Sequence, residues 1–138
     1  MKKIFAATLS FIIATTASAA GIEGKWRTID DETKKPKAIV QISQNGNQFN
    51  GTIVGLAQGV DNVCSACGGN KPLVGLTVVR GLKSKNSNEY DGGTIYDPKG
   101  GKTYRVKATL SADGRTLKVR GFIGVSALGR TQTWTRVQ

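Results

Sequence analysis

The strongest constraint on the fold of this 138-residue chain is an alternation of apolar and polar side chains with a period of two. Successive side chains of a strand point to opposite faces, whereas a helix repeats its apolar face every three to four residues. Ala38, Val40 and Ile42 lie on one face of a predicted strand, and the polar residues Lys37, Gln41 and Ser43 lie on the other. Residues 103–110 and 117–123 alternate in the same way. The pattern therefore predicts strands with one apolar face each.

The first predicted hairpin turns at Asn45-Gly46, a dipeptide that accepts the two positive φ angles of a type I′ turn. A two-residue loop at this point pairs Ile42 with Phe49 and Val40 with Gly51, and further along Ala38 with Ile53. All these inward partners are apolar or glycine. The turn chemistry and the hydrophobic pattern therefore agree on which face is buried.

A second predicted hairpin turns at Asp113-Gly114. Its register places Leu110 opposite Leu117 and, at the far end, Tyr104 opposite Ile123. The outward pairs of the same register bring two cations face to face, Lys107 opposite Arg120. Opposed like charges destabilise a strand pair, so we expect water or an external anion to screen them.

Further strands are predicted near residues 24–29, 73–80, 89–96 and 130–137, which brings the total to about eight. Trp26 and Trp134 lie on the first and the last strand, as in a sheet that closes on itself. The predicted fold class is therefore all-β, a single antiparallel up-and-down barrel whose interior holds a side-chain core or one small ligand. A β-sandwich built from the same strands is the alternative.

Residues 1–20 have the three parts of a secretory signal. Lys2 and Lys3 precede an apolar run, and Ala17-Ser18-Ala19 offers a cleavage site without a cysteine for lipid attachment. We therefore expect an exported protein, periplasmic or secreted and not a lipoprotein, with one barrel domain over residues 21–138. Cleavage would leave 18 Lys and Arg against 9 Asp and Glu, a net charge of +9.

Six short motifs occur in order along the chain: Gly24-Lys25-Trp26-Arg27-Thr28, Cys64-Ser65-Ala66-Cys67, Gly92-Gly93-Thr94-Ile95-Tyr96-Asp97-Pro98, Gly101-Lys102-Thr103-Tyr104, Leu117-Lys118-Val119-Arg120-Gly121 and Thr133-Trp134-Thr135-Arg136. Together they resemble an exported bacterial family known as domain of unknown function 2147. The resemblance implies a lipocalin-like barrel. In lipocalins a late arginine packs across the tryptophan of the first strand, which implies barrel closure here by Trp26 and Arg136, with Arg130 as the alternative cation.

The two cysteines, Cys64 and Cys67, are predicted to form a disulfide, because an exported pair at this spacing is usually oxidised. The sharper alternative is thiol–disulfide exchange. Oxidoreductases of that kind begin a helix at the first cysteine, whereas Gly68-Gly69 and Pro72 would break a helix here. A structural role for the disulfide is therefore favoured.

The composition argues against catalysis and against a metal site. The chain has no histidine, so a zinc site and a histidine-based triad both lack ligands or a base. Adjacent carboxylates at residues 30–32 could serve a glycoside hydrolase, but they read more simply as a solvated turn. No catalytic residue, metal or cofactor is predicted, and the protein is expected not to be an enzyme.

Two binding functions remain from the sequence. The first is a carrier of a small apolar or amphipathic ligand, with candidate cavity-lining residues Tyr96, Tyr104, Trp134 and Arg136. The second is an envelope interaction protein with a filled barrel that binds anionic lipid or glycan through a basic face, formed by Arg105, Lys107, Lys118 and Arg120. Nucleic acid is not expected as a partner outside the cytoplasm.

Overall fold

The computed structural model describes residues 21–137, so the predicted signal sequence at residues 1–20 lies outside the described residues. Eight strands form one closed antiparallel barrel, and this part of the chain contains no helix, hence none that could span a membrane. The predicted all-β barrel is confirmed, and the sandwich alternative is wrong. The strands are β1 (Gly24–Ile29), β2 (Pro36–Asn45), β3 (Gln48–Leu56), β4 (Thr77–Ser84), β5 (Glu89–Tyr96), β6 (Thr103–Leu110), β7 (Thr116–Phe122) and β8 (Gly129–Arg136).

The barrel closes where the first strand pairs with the last. Each strand pairs with its neighbours in sequence, and β1 also pairs with β8, with Trp26 opposite Arg136 and Thr28 opposite Trp134. A closed sheet has no free edge strand. The two tryptophan-bearing strands thus lie side by side.

The β6–β7 hairpin has the predicted register. Leu110 pairs with Leu117 and Lys107 pairs with Arg120. Only the outermost predicted pair is wrong, because β7 ends at Phe122 and the last pair formed is Arg105 with Phe122. The apolar face of this hairpin points into the barrel, and its basic face points outward.

The β2–β3 hairpin corrects the predicted register by two residues. Asn45 pairs with Gln48, so the two-residue loop is Gly46-Asn47, and Ile42 pairs with Gly51 instead of Phe49. Of the two loop residues only Gly46 has a positive φ (68°), as in a type II′ turn and unlike the predicted type I′ turn. A slip of two residues keeps every side chain on its face, so the hydrophobic pattern could not distinguish the two registers.

Strand β4 begins later than predicted, at Thr77 instead of residue 73. The side-chain oxygen of Asn62 accepts hydrogen bonds from the backbone N–H groups of Leu73 and Val74 (2.9 Å each). Leu76 N–H then donates to Leu73 O (3.0 Å), which makes a turn. Residues 73–76 therefore end a long loop, residues 57–76, before the strand begins.

Large side chains fill one end of the barrel. The short turns after β2, β4 and β6 lie at this closed end, where Trp26, Leu82 and Leu117 are fully or almost fully buried. Phe49 and Tyr90 meet there edge to face with ring centroids 5.4 Å apart. The opposite, open end carries the loops after β1, β3, β5 and β7.

A β-bulge in β5 lets this strand approach β4 closely. Tyr90 pairs with Ala108 and Gly93 with Val106, so β5 has one extra residue at this point, beside Gly92 with φ 82°. A Cβ atom on Gly93 would lie 2.5 Å from the carbonyl oxygen of Arg80. Backbone on the neighbouring strand therefore leaves no room for a side chain.

We expect Gly93→Ala to lower the free energy of unfolding by about 3 kcal/mol, because two strands must separate to admit the methyl group. Gly92→Ala is the matched control, since its Cβ would meet no atom within 4 Å. It should cost only about 1 kcal/mol, from its positive φ. Urea-induced unfolding measures both values, and equal costs would contradict the bulge geometry.

Candidate functional site

A cavity of about 490 Å³ occupies the open half of the barrel. Its wall is formed by inward side chains of several strands, and Val60 and Leu73 of the β3–β4 loop cover one side. Ile123 and Leu128 of the β7–β8 loop lie at its mouth. The volume falls within the range of small-molecule pockets. The cavity is therefore the candidate functional site.

Small side chains on the inner wall account for the empty space. Ala38 and Gly121 both line the cavity, and a Cβ on Gly121 would make ordinary van der Waals contact with Ile95 and Tyr104, at 3.4 and 3.5 Å. Gly51 is small for the opposite reason, because its Cβ would lie 2.9 Å from a methyl group of Val40. Small inward residues thus make space at the open end and permit close packing below it.

The cavity wall holds a partly buried polar pair. The indole N–H of Trp134 donates to the amide oxygen of Gln132 at 2.9 Å. Within residues 21–137 the amide nitrogen of Gln132 donates to no protein atom. The same residues contain no fully buried side-chain polar atom without a hydrogen-bond partner, so this nitrogen is not fully buried. That amide nitrogen therefore remains accessible from the cavity as a hydrogen-bond donor for a ligand.

Charges of both signs surround the mouth of the cavity. Arg130 makes an ion pair with Asp31 at 2.6 Å, which joins β8 to the β1–β2 loop, and Glu32 lies 4.0 Å from the same guanidinium. Asp30 accepts hydrogen bonds from the backbone N–H groups of Thr33 and Glu32, which lower the pKa of its carboxyl group. The carboxylates of residues 30–32 thus organise the turn and its ion pair.

Three of the four predicted lining residues meet at the cavity. Tyr96, Tyr104 and Trp134 line it. Arg136 does not, because its side chain turns toward the closed end and lies over Trp26. Alternation put Arg136 on the same face as Trp134, but the two positions lie at different heights of the barrel wall.

Arg136 and Trp26 seal the closed end. The guanidinium carbon of Arg136 lies 4.3 Å from the centre of the indole ring, a distance typical of a cation–π contact. Its nitrogens donate to the carbonyl oxygens of Gly114, Glu23 and Gly21 at 2.8, 2.8 and 2.9 Å. One side chain thus ties the barrel seam to the β6–β7 turn and to the segment before β1.

Burial affects the ionisation of two groups at the closed end. It lowers the pKa of the Arg136 guanidinium below its ordinary value, and it raises the pKa of the Tyr90 hydroxyl. The Trp26 indole N–H donates to the carbonyl oxygen of Ile22 at 2.9 Å, so the buried ring has its polar atom satisfied. Trp26 therefore acts as a plug, and it does not line the cavity.

Cys64 and Cys67 form a disulfide within the β3–β4 loop. Cys64 is only 1% exposed, and Cys67 lies 3.9 Å from the hydroxyl oxygen of Tyr96. The loop is anchored to the neighbouring β5–β6 loop by a hydrogen bond from Ala66 N–H to Pro98 O (3.2 Å). Residues 64–67 form a turn and begin no helix, unlike the cysteine pair of thiol oxidoreductases, which favours a structural role in shaping the cavity cover.

The predicted basic face lies on the outside of β6 and β7, but two of its four cations donate hydrogen bonds to the β7–β8 loop. Arg120 donates to Ser126 O (2.7 Å) and Ala127 O (3.3 Å), and Lys107 donates to the Ser126 hydroxyl (3.2 Å). The sequence predicts water or an external anion between these cations, whereas the structure places oxygen atoms of the β7–β8 loop there. Arg105 lies over the ring of Phe122 at 5.4 Å.

The β7–β8 loop is the part of the site that the sequence prediction missed. Its residues at 123–128 carry no charge, and strand alternation gives no reason to place them at a cavity mouth. The available signal was the aliphatic content of the loop, because exposed turns are usually polar. The same holds for Val60 and Leu73 in the β3–β4 loop.

Comparison with known proteins places the chain in a family. Residues 24–136 match the pattern of a family described as an uncharacterized protein conserved in bacteria (DUF2147), and the chain belongs to this family. Protein HP1028 from the human pathogen Helicobacter pylori, described as belonging to the lipocalin family, has a similar solved structure, with a TM-score of 0.76 and 20% sequence identity. The match covers 87% of this chain and 85% of that one. No curated protein matches the sequence. At this identity the likeness shows a shared barrel fold.

We expect Arg136→Lys to lower the free energy of unfolding by about 3 kcal/mol, because lysine keeps the charge but loses the planar contact and the three-way hydrogen bonding. Arg130→Lys is the matched control. Its side chain is 69% exposed and its ion pair is solvated, so the change should stay below about 0.5 kcal/mol. Chemical denaturation of both variants provides the measurement, and an Arg136→Lys protein as stable as the wild type would contradict the seal.

Proposed function

We propose that the protein binds one small apolar or amphipathic ligand in the open half of its barrel, without catalysing a reaction. The observation that supports this most directly is the cavity of about 490 Å³ in the open half, a space that large side chains fill in the closed half. Pockets for small molecules are concave, mostly apolar and supplied with a few polar groups. This cavity has each of these properties.

The wall of the cavity favours an apolar ligand body. Val40, Ile53 and Val78 face the space, and the ring of Trp134 lies beside them. Burying apolar surface against such a wall contributes roughly 25 cal/mol per Å². The interior therefore favours an alkyl or aromatic group over a charged one.

The polar groups of the cavity suggest how a ligand would be oriented. Gln132 offers an amide donor part of the way down the wall, while Lys37, Lys99 and Arg130 lie among carboxylates at the mouth. An apolar end would enter first, and a polar end would stay near the mouth. Because both charge signs are present there, the charge of the polar end is not fixed by the rim.

Binding is favoured over hydrolysis by the way the rim carboxylates are used. Asp30 holds the β1–β2 turn through backbone N–H groups, and Asp31 is paired with Arg130. A glycoside hydrolase needs two carboxyl groups free to act on a sugar from opposite sides. These side chains have structural partners instead.

We further propose that the protein works in the bacterial cell envelope or is secreted. The signal-like sequence at residues 1–20 and the Cys64–Cys67 disulfide both support export. Disulfides persist in oxidising compartments and are rare in the cytosol. Amphipathic molecules in the envelope are the natural ligand class for such a carrier.

We expect Ala38→Phe to weaken binding of the neutral fluorescent probe N-phenyl-1-naphthylamine by about tenfold or more, because the new ring occupies the cavity that Ala38 lines. Ile39→Phe is the matched control, since Ile39 is the next residue on β2 and points to the outer face. Fluorescence titration gives the dissociation constants, and circular dichroism checks that both variants keep the barrel. Equal affinity of Ala38→Phe and wild type would refute the cavity as the binding site.

A further inference from the structure

The β7–β8 loop holds the most exposed large aliphatic side chains of the described chain. Ile123, Val125 and Leu128 are 58%, 60% and 74% exposed, although the loop spans only residues 123–128. We call this segment, Ile-Gly-Val-Ser-Ala-Leu, the aliphatic loop. Scattered exposed apolar residues are ordinary, whereas three within one short loop make a contact surface for an apolar partner.

The aliphatic loop is held in position by the basic face. Arg120 donates to two of its carbonyl oxygens, and Lys107 donates to the hydroxyl of Ser126. Leu128 N–H also donates to Val125 O at 3.0 Å, which closes the tip of the loop. These bonds fix the backbone while the aliphatic side chains point to solvent. The loop is therefore prepared for an outside contact without a change of shape.

The four strands on the side of the barrel that bears this loop carry Lys and Arg but no acidic residue. Strands β6, β7, β8 and β1 are consecutive around the barrel and contain no Asp or Glu. We call their outer surface the basic wall, and its outward cations are Lys25, Arg27, Arg105, Lys107, Lys118 and Arg120. The other four strands carry Lys37, Arg80 and Lys83 together with Glu89 and Asp91. The positive charge of the strands is thus concentrated on the side that bears the aliphatic loop.

We propose that the aliphatic loop and the basic wall dock the protein on an anionic lipid bilayer. Anionic headgroups attract Lys and Arg near the surface, and aliphatic side chains gain by entering the boundary between headgroups and acyl chains. A polysaccharide would satisfy the cations but would offer nothing apolar to Ile123, Val125 and Leu128. The combination of the two features therefore selects a lipid surface over a glycan.

Docking in this way would bring the cavity mouth to the bilayer. Ile123 and Leu128 belong to the aliphatic loop and also line the mouth of the cavity. A ligand could then pass between membrane and cavity along these side chains. This last step rests on the proposed ligand binding, whereas docking itself requires only the outer surface.

The experiment measures binding of the mature protein to vesicles of equal parts phosphatidylglycerol and phosphatidylcholine, by co-sedimentation at low ionic strength. We expect Val125→Asp to weaken binding about tenfold, since it removes an inserting side chain and adds a like charge. Val54→Asp is the matched control, because Val54 is 41% exposed on β3 and lies away from the aliphatic loop. Val125 does not line the cavity, so probe binding in Val125→Asp should stay at the wild-type level.

A second pair of variants tests the basic wall. The double variant Arg27→Gln/Lys118→Gln should bind the same vesicles about tenfold more weakly, whereas Arg80→Gln/Lys83→Gln on β4, which removes the same charge elsewhere, should bind nearly as well as wild type. Binding should also fall at about 1 M salt, where charges are screened within about 3 Å. Thermal unfolding of each variant separates loss of docking from loss of fold.

Four outcomes would overturn the proposal. They are absence of binding by wild type at low salt, equal binding to pure phosphatidylcholine, equal effects of Val125→Asp and Val54→Asp, and equal effects of the two charge variants. Loss of probe binding in Ala38→Phe tests the cavity alone, because that residue is remote from the outer surface. Docking and ligand binding can therefore fail independently.

Discussion

The contact between Arg136 and Trp26 closes one end of the barrel. It joins the last strand to the first, it caps the indole that fills the barrel, and it holds the segment before β1 and the β6–β7 turn by backbone hydrogen bonds. Because this end is sealed, the interior can open only at the other end. The position of the cavity, and the loops that surround it, follow from that asymmetry.

The two ends of the barrel differ in the size of their inward side chains. At the closed end, large side chains such as Phe49 and Tyr90 meet in the centre and give the domain its core. At the open end, Ala38 and Gly121 leave room, and the Cys64–Cys67 disulfide and the Asp31–Arg130 ion pair hold the surrounding loops in position. The loops around the cavity are therefore held by contacts within the protein, whether or not the cavity is filled.

The sequence predicts which face of a strand a residue lies on better than it predicts the position of that residue along the barrel axis. Alternation places Ala38, Gly51 and Gly121 inside the barrel, but it cannot say that Gly51 lies beneath a neighbouring valine while Gly121 lines the cavity. For the same reason Arg136 is predicted as a cavity residue, although it lies at the sealed end. The paths of the long loops are harder to predict still, because they depend on hydrogen bonds that Asn62 accepts and Arg120 donates, and alternation gives no sign of these bonds.

If one end of the barrel is sealed and the other binds a ligand, as we propose, the two tryptophans should respond differently to a ligand. Trp26 Nε1 donates to Ile22 O in the sealed end, whereas Trp134 Nε1 donates to Gln132 beside the cavity. Titrating the ¹⁵N-labelled mature protein with N-phenyl-1-naphthylamine should shift the Trp134 indole N–H resonance and leave that of Trp26 in place. A shift confined to Trp26, or no shift of either resonance while the probe binds, would contradict the claim.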